Sequence, residues 1–117
     1  MFRIMLKSKI HGAKVTDLKL KYEGSITIDE ELIREAGFLP GERVEVFNVD
    51  NGARFSTYVI PGEAGSGTIC LNGAAARLAE IGDKLIIVSY VLATEEEARN
   101  MKPKIVRLDE KNRIQGQ

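Results

Sequence analysis

The sequence predicts a mainly β protein, a small barrel of two pseudo-repeated halves with short helices between its strands. Three observations predict it. Apolar residues recur with period two over most of the chain and are dominated by Val and Ile, whose branched Cβ favours an extended backbone. Asp50-Asn51-Gly52, residues that tolerate positive φ, separate two such runs and predict a hairpin over 46–58. The chain also repeats itself at an offset of 41 residues, Gly24-Ser25-Ile26-Thr27-Ile28 aligning with Gly65-Ser66-Gly67-Thr68-Ile69 and Gly41-Glu42-Arg43-Val44 with Gly82-Asp83-Lys84-Leu85. Each half reads strand, short helix, Gly-acid turn, strand.

In chain order, alternation places strands over 4–15, 25–28, 43–49, 54–60, 68–71, 84–92 and 104–108. Asp29 caps a helix over 30–36, with Glu30 and Glu31 in its first turn and Gly37 as its stop. Thr94-Glu95-Glu96-Glu97 is a capping box opening a second helix. Asn72 precedes a third short helix, Gly73-Ala74-Ala75-Ala76. From Asp109 onward the chain is polar and aperiodic, which predicts a loose tail over 109–117. The Gly-acid turn leading into a strand resembles the GD box of double-psi β-barrels, in which glycine permits a tight backbone and the carboxylate accepts backbone N–H bonds.

A length of 117 residues bounds the chain to one domain. With 44% hydrophobic and 29% charged residues it has the composition of an ordinary globular protein. Seventeen basic and seventeen acidic side chains give a formal net charge of +0, so no long-range field gathers nucleic acid or an anionic membrane. The run around Leu85-Ile86-Ile87-Val88 is far shorter than the ~20 residues of a membrane helix and reads as a buried strand. Met1-Phe2-Arg3-Ile4-Met5-Leu6-Lys7 is too interrupted by charge for a signal peptide. One cysteine and one histidine are too few for a zinc site or an internal disulfide, and fit a reducing cytoplasm.

The sequence holds no phosphate-cradling Gly-x-x-x-x-Gly-Lys, no Gly-x-Gly-x-x-Gly and no His-Glu-x-x-His, which argues against nucleotide-driven and zinc chemistry. Lys9 and His11, two apart on a strand, share one face and form either an anion-facing pair or a solvated edge. Arg54, Ser56 and Tyr58 share another face; Arg54 could fork onto a carboxylate and Tyr58 could act as a general acid. Phe55 and Thr57 point the other way. Asn72, Gly73, Ala74 and Ala75 form either a backbone cradle for a carboxylate or carbonyl, or a plain helix cap. Cys70, between Ile69 and Leu71, reads as a small core residue. At Gly24-Ser25 and again at Gly65-Ser66, a hydroxyl could attack the preceding glycine carbonyl. An N-to-O acyl shift then gives an ester, and elimination leaves dehydroalanine and finally a pyruvoyl group.

Met5-Leu6-Lys7-Ser8-Lys9-Ile10-His11, Tyr22-Glu23-Gly24-Ser25, Asn51 through Tyr58, Asn72 through Ala76 and Glu96-Glu97-Ala98-Arg99 occur in this order along nearly the whole chain. With them the sequence resembles the pyruvoyl-dependent aspartate 1-decarboxylases, self-processing enzymes that make β-alanine for pantothenate. The resemblance implies a double-psi β-barrel in a homotetramer, cut between Gly24 and Ser25, with Ser25 becoming the pyruvoyl cofactor that condenses with L-aspartate. It assigns Tyr58 as proton donor, Lys9 and Arg54 to substrate carboxylates, and Thr57 to substrate contact and cleavage. Gly73, Ala74 and Ala75 supply backbone contacts, and His11, Tyr22 and Asn72 line the site or help processing. Strand alternation turns Thr57 away from Arg54 and Tyr58, so one shared site requires a bulge or a neighbouring subunit. Phe47 stands where many relatives are expected to have tryptophan. The alternative is a non-catalytic small β-barrel binding module in which Ser25 is a turn residue.

Overall fold

Alternating Val and Ile give eight strands over residues 1–116, which the computed structural model of the chain describes. They are β1 (Phe2–Lys14), β2 (Asp17–Lys19), β3 (Ser25–Asp29), β4 (Arg43–Asn48), β5 (Arg54–Gly62), β6 (Ile69–Asn72), β7 (Lys84–Thr94) and β8 (Lys104–Arg107). Hydrogen bonding orders them β2-β6-β3-β5-β4-β7-β1-β8. One face of this sheet closes on the core: Ile10, Ile26, Ile28, Val44, Val46, Val59, Ile69, Leu71, Leu85 and Ile87 are all fully buried or nearly so. Their neighbours along each strand, among them Lys9, Glu45, Phe47 and Tyr58, face outward, as period two requires.

The repeat is realised bond for bond in the two Gly-acid turns. Gly41 and Gly82 both have positive φ, +84° and +94°. The Gly41 N–H donates to Val59 O at 2.7 Å and the Gly82 N–H to Val15 O at 2.8 Å. The next residues return the bond, Val59 N–H to Glu42 O at 3.0 Å and Val15 N–H to Asp83 O at 2.9 Å. The Glu42 carboxylate accepts from Leu39 N–H and the Asp83 carboxylate from Glu80 N–H, each at 2.9 Å. Each acid thereby satisfies a turn donor that the sheet cannot reach.

The helices form where their caps predict. In α1 (Glu30–Ala36) the Asp29 carboxylate accepts from Glu31 N–H, and Gly37 closes the helix in the left-handed conformation. Asp29 also accepts from the N–H groups of Gly65 and Gly67, tying the α1 cap to the loop before β6. In α2 (Glu95–Asn100) both bonds of the capping box are present. The expected hairpin joins β4 to β5, with Gly52 at φ +77°.

Two expectations are corrected. Asp17–Lys19, which lies outside the expected strands although Asp17-Leu18-Lys19-Leu20-Lys21 alternates polar and apolar, is a strand running parallel to β6, Asp17 against Cys70 and Lys19 against Asn72. The loose tail expected over 109–117 is replaced, through residue 114, by an ordered turn. There the Asp109 carboxylate accepts from Lys111 and Arg113 N–H groups, and Leu108 bridges Ile114. Asn112, buried and at φ 58°, accepts from Lys14 N–H and donates to Lys14 O and Gly67 O. Gln117 lies outside the described residues. Asn112→Ala should therefore lower the unfolding free energy by about 2–3 kcal/mol, because it strands buried backbone groups. A urea midpoint equal to the parent's would mean that the turn carries no load.

Candidate active site

Ser25 opens β3 and is wholly buried, although Lys21 through Gly24 before it are exposed. Antiparallel pairing sets Ser25 opposite Asn72 and Thr27 opposite Cys70, so four side chains form a block on the outer face of β3 and β6. Asn72, also buried, donates from Nδ2 to Ser25 Oγ at 2.8 Å and to Thr27 Oγ1 at 2.9 Å. Its side chain does not cap the 3₁₀ helix Gly73–Leu78 that it precedes. Serine holds its own Oγ 3.5 Å from Glu23 O, too far to fix the hydroxyl proton firmly. A Cβ on Gly73, at φ +67°, would stand 2.7 Å from Tyr22 O and 2.8 Å from Gly24 Cα and N. The glycine at position 73 is therefore the seat on which the 22–24 segment rests.

The repeat mate is built differently. Ser66 is exposed in a turn, its Oγ donating to Glu63 O at 2.6 Å and lying 2.8 Å from Thr68 Oγ1, whose hydroxyl can donate to it. A clamped, dry hydroxyl beside a glycine peptide thus occurs at Ser25 and not at Ser66.

Parallel pairing of β3 with β5 sets Ile26 against Val59, which brings Tyr58 level with Ser25 on the same outer face. Tyr58 is 40% exposed, so its phenol is open to a small molecule beside Ser25. Arg54 follows on that face with its guanidinium 3.8 Å from the centroid of the Phe47 ring, a cation–π contact that holds it flat. The β4–β5 register, Arg43 with Tyr58 through Phe47 with Arg54, runs without a shift. No bulge turns Thr57 outward in this pairing: it faces Val44 on the core side, away from Arg54 and Tyr58.

Lys9 and His11 lie on the outer face of β1, four strand steps from β3. At ~4.8 Å a step this is roughly 19 Å along the sheet. The His11 pKa is lowered by burial and, less strongly, by the positive charges of Lys9, Arg107 and Lys84, which favours the neutral imidazole. A groove of about 840 Å³ lies over β4, β5 and the β1–β7 ends, lined by Ile4, Phe47, Arg54, Tyr90 and Leu92 among others. It reaches Arg54 but not Ser25. Ala75 is buried in the 3₁₀ helix after Gly73, whereas Ala74 is exposed. The described residues contain no group of three or more His, Cys, Asp or Glu that could hold a metal ion.

Residues 1–115 match the sequence pattern of the family described as aspartate decarboxylase. The chain belongs to that family. It is 59% identical to the aspartate 1-decarboxylase of Thermoanaerobacter pseudethanolicus over 97% of both chains. It is 61% identical to that of Caldicellulosiruptor bescii over 97% of this chain and 89% of the relative. Among solved structures it resembles the rationally designed mkDPBB_sym_86 protein, with a TM-score of 0.50 and 18% identity over 69% of this chain and 94% of the other. This likeness concerns the fold, the double-psi β-barrel to which the paired Gly-acid turns point. Within this family member, sequence reading overlooked Thr27 and gave Cys70 only a packing role. A signal existed in the alternation of Ser25 with Thr27 and of Cys70 with Asn72, but it acquires meaning only once β3 and β6 are paired.

Proposed function

We propose that this protein is an aspartate 1-decarboxylase that generates its own pyruvoyl group at Ser25 and converts L-aspartate to β-alanine and carbon dioxide, for pantothenate synthesis in the cytoplasm. The observation that carries the reading is the buried Ser25 hydroxyl held by Asn72 next to a glycine peptide seated on Gly73. In self-processing, Ser25 Oγ attacks the Gly24 carbonyl carbon as its proton passes to the Ser25 nitrogen and the C–N bond gives way to an ester C–O bond. Loss of the Ser25 Cα proton then expels the Gly24 carboxylate, which cuts the chain and leaves dehydroalanine, and water displaces its nitrogen as ammonia to give the pyruvoyl group. Asn72 fixes Oγ, Gly73 seats Gly24 and Tyr22 lies in the reacting segment, whereas Thr57, turned to the core side of its own chain, would assist cleavage only at a site shared with a second copy. A pyruvoyl group keeps the β-carbon of the serine it comes from, so it fits the enclosed space that Ser25 fills, with Asn72 and Thr27 beside it. When formed, the group supplies a sink for the electron pair released as the α-carboxylate leaves.

The chain's own residues do the rest. Arg54, held flat on Phe47, offers a fork to a substrate carboxylate. Tyr58, beside Ser25, holds the proton due at the α-carbon. Ala74 and Ala75 lie just beyond Gly73 as backbone contacts. Lys9 and His11 are cationic and polar groups suited to a carboxylate, and their distance from Ser25 within one chain supports a site completed by a second copy in a homotetramer. Exposed Phe2, Ile4 and Leu92 on the β1–β7 ribbon supply apolar surface for such an assembly.

Intact mass tests the reading. The purified chain, after warming, should give pieces of 24 and 93 residues and should release carbon dioxide from L-aspartate. Pieces of 65 and 52 residues would put the cut at Ser66, and a chain that stays whole and inert would favour a binding module.

A further inference from the structure

Asn72 presents a choice that its two hydroxyl neighbours cannot make. A carboxamide has almost the same shape when turned over, and both Ser25 Oγ and Thr27 Oγ1 can donate or accept. Turned one way, Oδ1 would accept a hydrogen bond from the Ser25 hydroxyl, whose proton is then engaged and stays on Oγ. Turned the other way, Nδ2 donates to Oγ, leaves the hydroxyl proton free to depart, and steadies the charge that Oγ gains as it attacks. The third neighbour decides. Cys70 Sγ stands 3.3 Å from Asn72 Oδ1, and among the described residues it is the one donor placed against that oxygen. A thiol is a weak donor and a poor acceptor of N–H, so it favours Oδ1 on its side and Nδ2 on the hydroxyls.

We propose that Cys70 is a positioning residue for self-processing: its S–H donates to Asn72 Oδ1 and thereby sets which end of the amide faces Ser25. This rests on the processing reading above and assigns Cys70 more than the core packing its apolar surroundings suggest. The thiol is buried, and burial first and the Asp17 charge second raise its pKa, so it keeps the proton this bond needs. Register supports the arrangement independently, since Thr27 pairs with Cys70 and Ser25 with Asn72 on the same two strands.

The test compares Cys70→Ala with Cys70→Ser in freshly purified, uncut chain, following the first-order rate of cleavage by intact mass and the urea midpoint in parallel. Both variants give up the same sulfur packing, but only serine keeps a donor. Cys70→Ala should cleave about two- to fivefold more slowly, the factor a weak hydrogen bond corresponds to, and Cys70→Ser should recover most of the rate. The Asn72 side-chain ¹⁵N–¹H signals of the uncut protein should stay near the parental position in Cys70→Ser and move in Cys70→Ala. Parental cleavage by Cys70→Ala, or equal slowing in both variants, overturns the inference and leaves Cys70 a packing residue. Should Cys70→Ala fail to fold, Cys70→Val, which keeps bulk without a donor, is read against Cys70→Ser in the same way. A parent chain that never cuts overturns the processing reading instead, and the Asn72 signals then decide the Cys70 inference alone.

Discussion

Ser25→Ala should leave the chain whole at 117 residues and without decarboxylase activity, yet folded. The expectation separates two jobs of one side chain. Ser25 fills a fully buried site, which alanine also fills, and it offers the oxygen for the acyl shift, which alanine cannot. Removing Oγ takes one partner from Asn72 Nδ2 but leaves the bond to Thr27 Oγ1, so the loss of stability should be about 1 kcal/mol. Electrophoresis, a urea titration and carbon dioxide release on one preparation check the three parts. Decarboxylation of aspartate by the uncut variant would refute a mechanism that starts from Ser25.

Tyr58→Phe should still be cut but should lose turnover by roughly 10²–10⁴-fold, the contribution of a well-placed acid. Tyr58 is level with Ser25 and two-fifths exposed, and the Ser25 clamp consists of Asn72, Gly73 and the 22–24 segment without it. Its phenol should therefore be dispensable for processing and be required only when a proton must reach the α-carbon. Fragment masses report the first step and steady-state kinetics the second, with KM changing much less than kcat. Parental turnover would make Tyr58 a wall of the site and assign the proton to water or to another group.

The parts of the fold legible in the sequence were those fixed by neighbours in the chain. Asp29 and Gly37 bound α1 because cap and stop act within one helical turn. The two Gly-acid turns could be read because each carboxylate serves a donor three residues before it. Long-range partners left no such trace. Asn112 looks like a tail residue until Lys14 and Gly67 arrive beside it, 98 and 45 positions away. At the site, Gly24-Ser25 and Gly65-Ser66 are equals as dipeptides, and burial against Asn72 sets them apart. Lys9, His11 and Thr57 show the converse. Their residue types suit the chemistry, but the register of one chain keeps them from Ser25.

The place of β1 bears on what a cut after Gly24 would produce. Residues 1–24 contain a strand flanked on both sides, antiparallel to β7 from Phe2 to Lys14 and parallel to β8 from Ser8 to His11, with Ile10 and Ala13 in the core. Severing the peptide leaves every one of those ladders in place. The short piece then behaves as a permanent subunit of its own remainder, held by backbone pairing and apolar burial in place of a covalent link. Denaturant would release it, and the long piece alone would expose the sheet edges of β7 and β8 that β1 had joined. Processing would in this sense be a one-way commitment, because refolding after denaturant would have to bring together two pieces that the uncut chain holds in register by a peptide link.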